Sequence, residues 1–305
     1  MALVTGEIYC RIFYIKPWTL RLIEEQIKND WSSQIRRNSL GLRDQEHTAI
    51  KPPNTQRVLI LGDSFTFGVG VADPSKIFPE ILEQRFQLEG GEKKVEILNG
   101  GIPGSLTKRW VKLLLEIKDS FQPDVILIVF FLRDGTLTGS IGDFFTPIGK
   151  EMENRNKDST LYYYSYLYRK IKDVQDRLEL SQKYSKKIKI SYLGNAEETR
   201  EWENAKKNIL KIKKIGDSIQ AKVAFVVFPI LIELNDNYPF QEICDVLTQF
   251  TNEHQIQNHS LLPAFMGEVG PNLWVSPNDQ HPNPKGHKIA ADSIFPFLKE
   301  LLDFS

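Results

Sequence analysis

The chain has 305 residues, 41% of them hydrophobic and 26% charged, with 39 basic and 39 acidic side chains and a formal net charge of zero. Such a chain can bury a full core as one large domain, and its balance excludes the strongly basic surface that nucleic-acid binding requires. Two cysteines, Cys10 and Cys244, lie far apart without CxxC spacing, which excludes a disulfide framework or cysteine-ligated zinc and leaves packed or free thiols.

In chain order, residues 1–50 read as an N-terminal arm. Glu7, Arg11 and Lys16 interrupt the apolar residues before Leu20, so neither a transmembrane span nor a signal segment fits. A soluble protein is the expectation, with an anchor upstream of this sequence left open. Leu20, Leu22, Ile23 and Ile27 have helical spacing and predict a helix or ordered arm leading to Trp31. The stretch Ile35 to Asp44 combines turn formers with Arg36, Arg37 and Arg43. It reads as a surface strand and turn, or as an arm that supplies an arginine to a site.

The main domain is expected over residues 51–305. Arg57 to Gly62 is a short apolar run too short for a helix, and it ends abruptly in Asp63, Ser64 and Phe65. A buried parallel strand running into a functional turn has this pattern, and Ser64 is then either a helix cap or a nucleophile. Phe78 to Phe86 suits a helix ended by Gly90 and Gly91, and Val95 to Asn99 a second strand that stops in Gly100-Gly101-Ile102-Pro103-Gly104. Thr107 to Phe121 is an amphipathic helix, and Val125 to Phe131 a fully apolar third strand followed by Arg133 and Asp134. Three such units imply a parallel sheet with right-handed crossovers and helices on both faces, and their strand ends converge on one rim.

Residues 136–197 break this rhythm and read as a helical insertion, rich in tyrosine between Tyr162 and Tyr168, that forms a packed cap or a lid. A lysine-rich helix over 197–219, a strand over Val223 to Pro229, a helix over Phe240 to Glu253 and a short fifth strand at Ser260 to Pro263 follow. Prolines on both sides of His281 hold Asp279 and His281 on a stiff loop, and a helix begins at Asn283 or Pro284.

Three blocks together, Gly62-Asp63-Ser64 with Phe65 to Gly68, Asn99 to Gly104, and Asp279-Gln280-His281-Pro282-Asn283 with Gly286-His287, resemble the SGNH/GDSL hydrolase family in order and spacing. The resemblance implies a flavodoxin-like three-layer α/β/α sandwich with a mostly parallel sheet of about five strands. It also implies ester hydrolysis by an activated serine on carbohydrate O-acyl or lipid esters, through an acyl-enzyme and without metal or cofactor. Carried over by residue, Ser64 is the nucleophile, His281 the general base and Asp279 the carboxylate that orients the imidazole. The N–H groups of Ser64 and Gly101 face the developing oxyanion.

Two positions depart from the family pattern. Arg133 stands where the family usually has an asparagine that donates to the oxyanion; it can donate there itself, pair with Asp134 or bind an anionic substrate group. Asp279 lies two residues before His281 where the usual spacing is three, which makes Asn278 a competing partner for the imidazole. His287 is the competing base and reads as structural, and Asp63 reads as an acceptor that holds the serine turn. A noncatalytic binding module for an anionic ligand and an O-acyltransferase are the other functions compatible with these residues. The partners implied are a small acyl ester or an acylated saccharide, with no nucleic acid.

Overall fold

The computed structural model describes residues 2–13, 31–136, 151, 154–276 and 279–304. Five strands, β1 Thr55–Gly62, β2 Lys94–Gly101, β3 Val125–Phe131, β4 Lys222–Phe228 and β5 Gln257–Ser260, form one sheet. Their order is β2-β1-β3-β4-β5 and every pairing is parallel, which is the flavodoxin-like arrangement expected. β3 is buried along its whole length, and β1 and β4 nearly so, because helices cover both faces.

The helices Phe78–Glu89, Thr107–Phe121, Arg200–Ser218, Gln241–Glu253 and Pro284–Leu302 fall within a few residues of their expected bounds. Trp110, Leu114 and Ile117 recur at three- and four-residue spacing on the Thr107–Phe121 helix and are fully buried or nearly so. Cys10 and Cys244 are free and buried, and burial pushes the Cys244 thiol up to about 12.

Several elements differ from expectation. The fifth strand lies earlier, at Gln257–Ser260, because Pro263 sits in the first turn of a short helix, Leu262–Phe265, where its missing N–H is harmless. Residues 35–54 contain turns but no strand, yet Leu42 and Arg43 are buried. The stiff loop around His281 is an antiparallel hairpin of β6 Trp274–Ser276 and β7 Asp279–Pro282, and only beyond Asn283 does the helix begin. Within the 136–197 insertion the structure has helices Thr160–Tyr164 and Tyr166–Leu193, whereas residues 137–150, 152 and 153 lie outside the described residues.

A helix at Ala2–Phe13 precedes the sheet, and residues 14–30, part of the expected arm, lie outside the described residues. Its Glu7 accepts hydrogen bonds from Ser165 Oγ at 2.8 Å and from the N–H groups of Tyr166 and Leu167 at 3.0 and 2.9 Å. Those backbone N–H bonds, at the start of the Tyr166–Leu193 helix, hold the carboxyl at about 2. Among the described residues, no helix is long and apolar enough to cross a membrane.

Candidate active site

The site is built at the C-terminal ends of β2, β1 and β3, with the serine turn on the middle strand. Asp63 caps the four-residue helix Ser64–Phe67, its Oδ1 accepting the Phe65 N–H at 2.8 Å. Ser64 is the first helical residue and is 4% exposed. Its Oγ donates to Asp63 Oδ2 at 3.4 Å, and its N–H bonds to no group among the described residues. The turn after β2 is pinned alongside: the Ile102 N–H donates to Gly62 O at 3.0 Å and Ser105 Oγ to the same oxygen at 3.4 Å.

On the other side of β1, the turn Leu132–Gly135 after β3 carries Arg133 and Asp134, both about 1% exposed. Arg133 Nη2 lies 3.3 Å from Asp63 Oδ2 and 3.9 Å from Asp134 Oδ1. Burial, with Asp63 adding its charge, pushes the Asp134 carboxyl well above the usual range.

The hairpin brings the remaining groups. His281 Nδ1 contacts Asp279 Oδ1, and the His281 backbone N–H donates to the same oxygen at 3.1 Å. Burial disfavours the Asp279 carboxylate, yet its bond to His281 and the imidazole's charge prevail and hold the carboxyl below its usual range. The His281 ring packs on Phe65, centroids 5.5 Å apart, and strand β7 lies against the Ser64–Phe67 helix. Phe65 is itself stacked on Phe131 and edge-on to Phe228, the last residues of β3 and β4. His281 Nε2 is shielded from solvent and has no hydrogen-bond partner among the described residues.

This arrangement coincides with a family match. Residues 58–294 match the family described as GDSL-like Lipase/Acylhydrolase. The chain belongs to that family. Among curated proteins, none matches. Similar solved structures include the psychrotrophic esterase EstA from Pseudoalteromonas sp., in a form inhibited by monoethylphosphonate, at 16% identity and a TM-score of 0.48, over 82% of this chain and 99% of that one. The lipase/acylhydrolase from Enterococcus faecalis is likewise 16% identical with a TM-score of 0.48, over 82% of this chain and 97% of that one. A two-domain esterase active on acetylated mannans is 15% identical with a TM-score of 0.48, over 81% of this chain. This chain spans about half of that two-domain structure, 50% of its length.

Within this GDSL chain the structure brings Asp279 and His281 into contact and sets their hairpin against the Ser64 helix. Ser64 Oγ and His281 Nε2 are not bonded to each other, because the hydroxyl is directed to Asp63. Asn278 lies outside the described residues. His287 takes no part: its Nδ1 accepts the Phe78 N–H at 3.2 Å, and complete burial, with Arg43 and His281 nearby, lowers its pKa to about 3.

The Gly101 N–H is bonded within its own strand, to Asn99 Oδ1. β2 is an edge strand, and the N–H groups of Ile97, Asn99 and Gly101 all point away from β1, towards Glu83 Oε2, Asp44 Oδ2 and Asn99 Oδ1. An N–H on that outer edge faces away from Ser64. Gly101 is needed instead for close approach, since a Cβ there would lie 2.2 Å from Phe67 N. Gly104, three residues on, has φ +71°, open space where a Cβ would be, and an N–H that no group among the described residues accepts. The three glycines of this turn look alike in the sequence, and only the strand's hydrogen-bond parity distinguishes their N–H groups.

Proposed function

We propose that this chain hydrolyses acyl esters of saccharides or lipids through a serine acyl-enzyme. The observation that supports the reading best is the Asp279–His281 pair, which fixes the imidazole through Nδ1 and leaves Nε2 without a partner among the described residues, beside the serine helix. In the proposed reaction the Ser64 hydroxyl turns from Asp63 to His281 Nε2. Its oxygen attacks the acyl carbonyl while Nε2 takes the proton. Collapse of the tetrahedral adduct breaks the bond to the leaving alcohol, which receives that proton from Nε2. Water, deprotonated by the same nitrogen, then attacks the Ser64 ester; the acyl–Oγ bond breaks, the carboxylic acid leaves, and Nε2 returns the proton to Ser64 Oγ.

The N–H groups of Ser64 and Gly104 are the backbone donors proposed for the oxyanion, in place of Gly101, and a donor of this kind is worth roughly 3 to 4 kcal/mol. Arg133 is assigned to Asp63, the acceptor of the serine hydroxyl, and acts on the oxyanion side through that carboxylate. Its burial and its bond to Asp63 argue against a noncatalytic module that receives an anion on Arg133.

The test is labelling by a fluorophosphonate together with turnover of p-nitrophenyl acetate. Ser64→Ala is expected to abolish both while preserving the circular dichroism of the parent. Undiminished turnover in Ser64→Ala overturns the reading, and a parent protein that neither labels nor turns over ester favours the binding module. Comparing acetyl with octanoyl esters and with acetylated xylan then separates saccharide from lipid substrates.

A further inference from the structure

Arg43 belongs to the irregular segment before β1, and it is 4% exposed. Its guanidinium donates to four carbonyls of one loop: Nη1 to Phe67 O at 3.3 Å and Gly68 O at 2.5 Å, Nη2 to Val71 O at 2.5 Å and Ala72 O at 3.2 Å. That loop is the far end of the serine turn, for the N–H groups of Gly68 and Val69 both donate to Ser64 O, at 3.1 and 3.0 Å. It also touches the histidine hairpin: a Cβ on Gly70 would lie 2.5 Å from Val275 Cγ2, on the strand paired with β7.

The next residue grips the third part of the site. Asp44 Oδ2 accepts the Asn99 N–H at 2.8 Å, and Asn99 Oδ1 accepts the Gly101 N–H at 3.0 Å. Gly101 in turn meets the Phe67 backbone at close approach. Two adjacent residues outside the three family blocks therefore tie together the serine turn, the glycine turn and the hairpin that carries His281. Five N–H donors in a rigid planar fork suit Arg43 to four carbonyls, a geometry an ammonium group does not reproduce. Burial, with Arg37 close by, lowers the Arg43 guanidinium to about 10, the expense of holding a cation on neutral oxygens.

We propose that Arg43 is a positioning residue for the ester-cleaving reaction, aligning the Ser64 turn with the glycine turn and the His281 hairpin through the carbonyls of residues 67–72. This rests on the reading of Ser64 as the nucleophile. Small displacements of reacting groups suppress the chemical step far more than substrate capture, so Arg43 acts on kcat.

The experiment uses the full chain with Arg43→Lys and Arg43→Ala, and with Leu247→Ala, a fully buried core change on the Gln241–Glu253 helix. On p-nitrophenyl acetate, Arg43→Lys is expected to lower kcat about 10- to 100-fold with KM within about twofold. Millimolar methylguanidinium is expected to restore part of kcat to Arg43→Ala. Leu247→Ala is expected to lose thermal stability yet keep the parent's kcat. Hydrogen exchange in Arg43→Lys is expected to speed up at residues 66–72 and 99–104.

Parent-like kcat in folded Arg43→Lys overturns the proposal, as does a loss matched by Leu247→Ala at equal melting temperature. Should Arg43→Ala fail to fold, Arg43→Lys, which retains the charge and the stem, carries the test. If Ser64→Ala retains turnover, the functional reading falls while the positioning role is judged by exchange alone. Unchanged exchange at residues 66–72 and 99–104 then overturns it.

Discussion

Arg133 lies between two acidic side chains at the end of β3, where the family resemblance leads one to expect an asparagine. A buried cation of this kind is held by its neighbours more than it stabilises them, so removing it leaves the buried Asp63 side chain without the guanidinium that faces it. Arg133→Met is expected to destabilise the fold by roughly 3 to 5 kcal/mol, read as a shift in the urea midpoint at unchanged slope. Deleting Asp63 together with Arg133 is expected to cost less than the sum of the single changes, which a double-mutant cycle measures. Ser64, Asp279 and His281 stand out in the sequence because each sits in a short block with its neighbours. Arg43 stands out only as one of three arginines on an arm whose alternative reading supplies an arginine to a site, since nothing in residues 35–44 indicates which of them reaches in, or which loop lies 24 to 29 positions downstream of it. The pairing of Arg133 with Asp63 was equally hidden, because it spans 70 positions and depends on β1 and β3 being neighbours.

Strand β2 shows how an element at the sheet's edge is protected and made to serve the site. Its outward N–H groups would invite another strand, and Glu83, Asp44 and Asn99 occupy three of them. Burial pushes the Glu83 carboxyl up to about 7, with His47 opposing the rise and Asp44 adding to it. Its folded value thus lies above the ordinary 4.5, so the folded chain holds a proton that the unfolded chain releases. That contribution is fully present below pH 4.5 and is lost as the pH rises through about 7. Glu83→Gln, which keeps an acceptor for the Ile97 N–H, is expected to remove this slope. Relative to the parent, the variant gains on the order of 3 kcal/mol between pH 4 and pH 8 in chemical denaturation. Parallel melts at both pH values that shift by equal amounts refute it. At this scale the apolar strands and amphipathic helices were legible because burial on both faces leaves runs that only a covered sheet explains. The hairpin at 274–282 was not, since its strands have three and four residues and owe their form to packing beside the serine helix.

Across the whole molecule the two ends of the parallel sheet divide the work. The C-terminal ends carry the turns of the site, whereas the N-terminal ends are joined by buried and half-buried ion pairs. Arg57, fully buried at the start of β1, bonds Glu96 on β2 at 2.9 Å, Phe121 O at 2.9 Å and Thr48 O at 2.7 Å. Its guanidinium also lies over the Phe121 ring, 4.8 Å from the centroid. Beside it Asp124 accepts the Arg57 N–H at 2.6 Å and contacts Lys51, and Lys222 at the start of β4 reaches Leu301 O at 2.7 Å. These bonds tie the N-terminal arm and the last helix to the sheet at a full strand's length from Ser64, about 20 Å for a strand of this size. Arg57→Met removes the cation but fills much of its volume, and it leaves Glu96 buried with Lys94 and the His47 ring, 4.0 Å away, beside it. The expected loss is roughly 3 kcal/mol, a fall in melting temperature on the order of 5 °C for a chain of this size. Because, among the described residues, no bond of Arg57 reaches the turns after β1, β2 or β3, kcat at 25 °C is expected to stay within about twofold of the parent. Arg43→Lys is expected to show the reverse, a modest fall in melting temperature with most of kcat lost. Measuring both quantities on both variants tests whether stability and alignment are housed at opposite ends of one sheet: a loss of kcat in Arg57→Met as large as that in Arg43→Lys would show the two ends to be coupled.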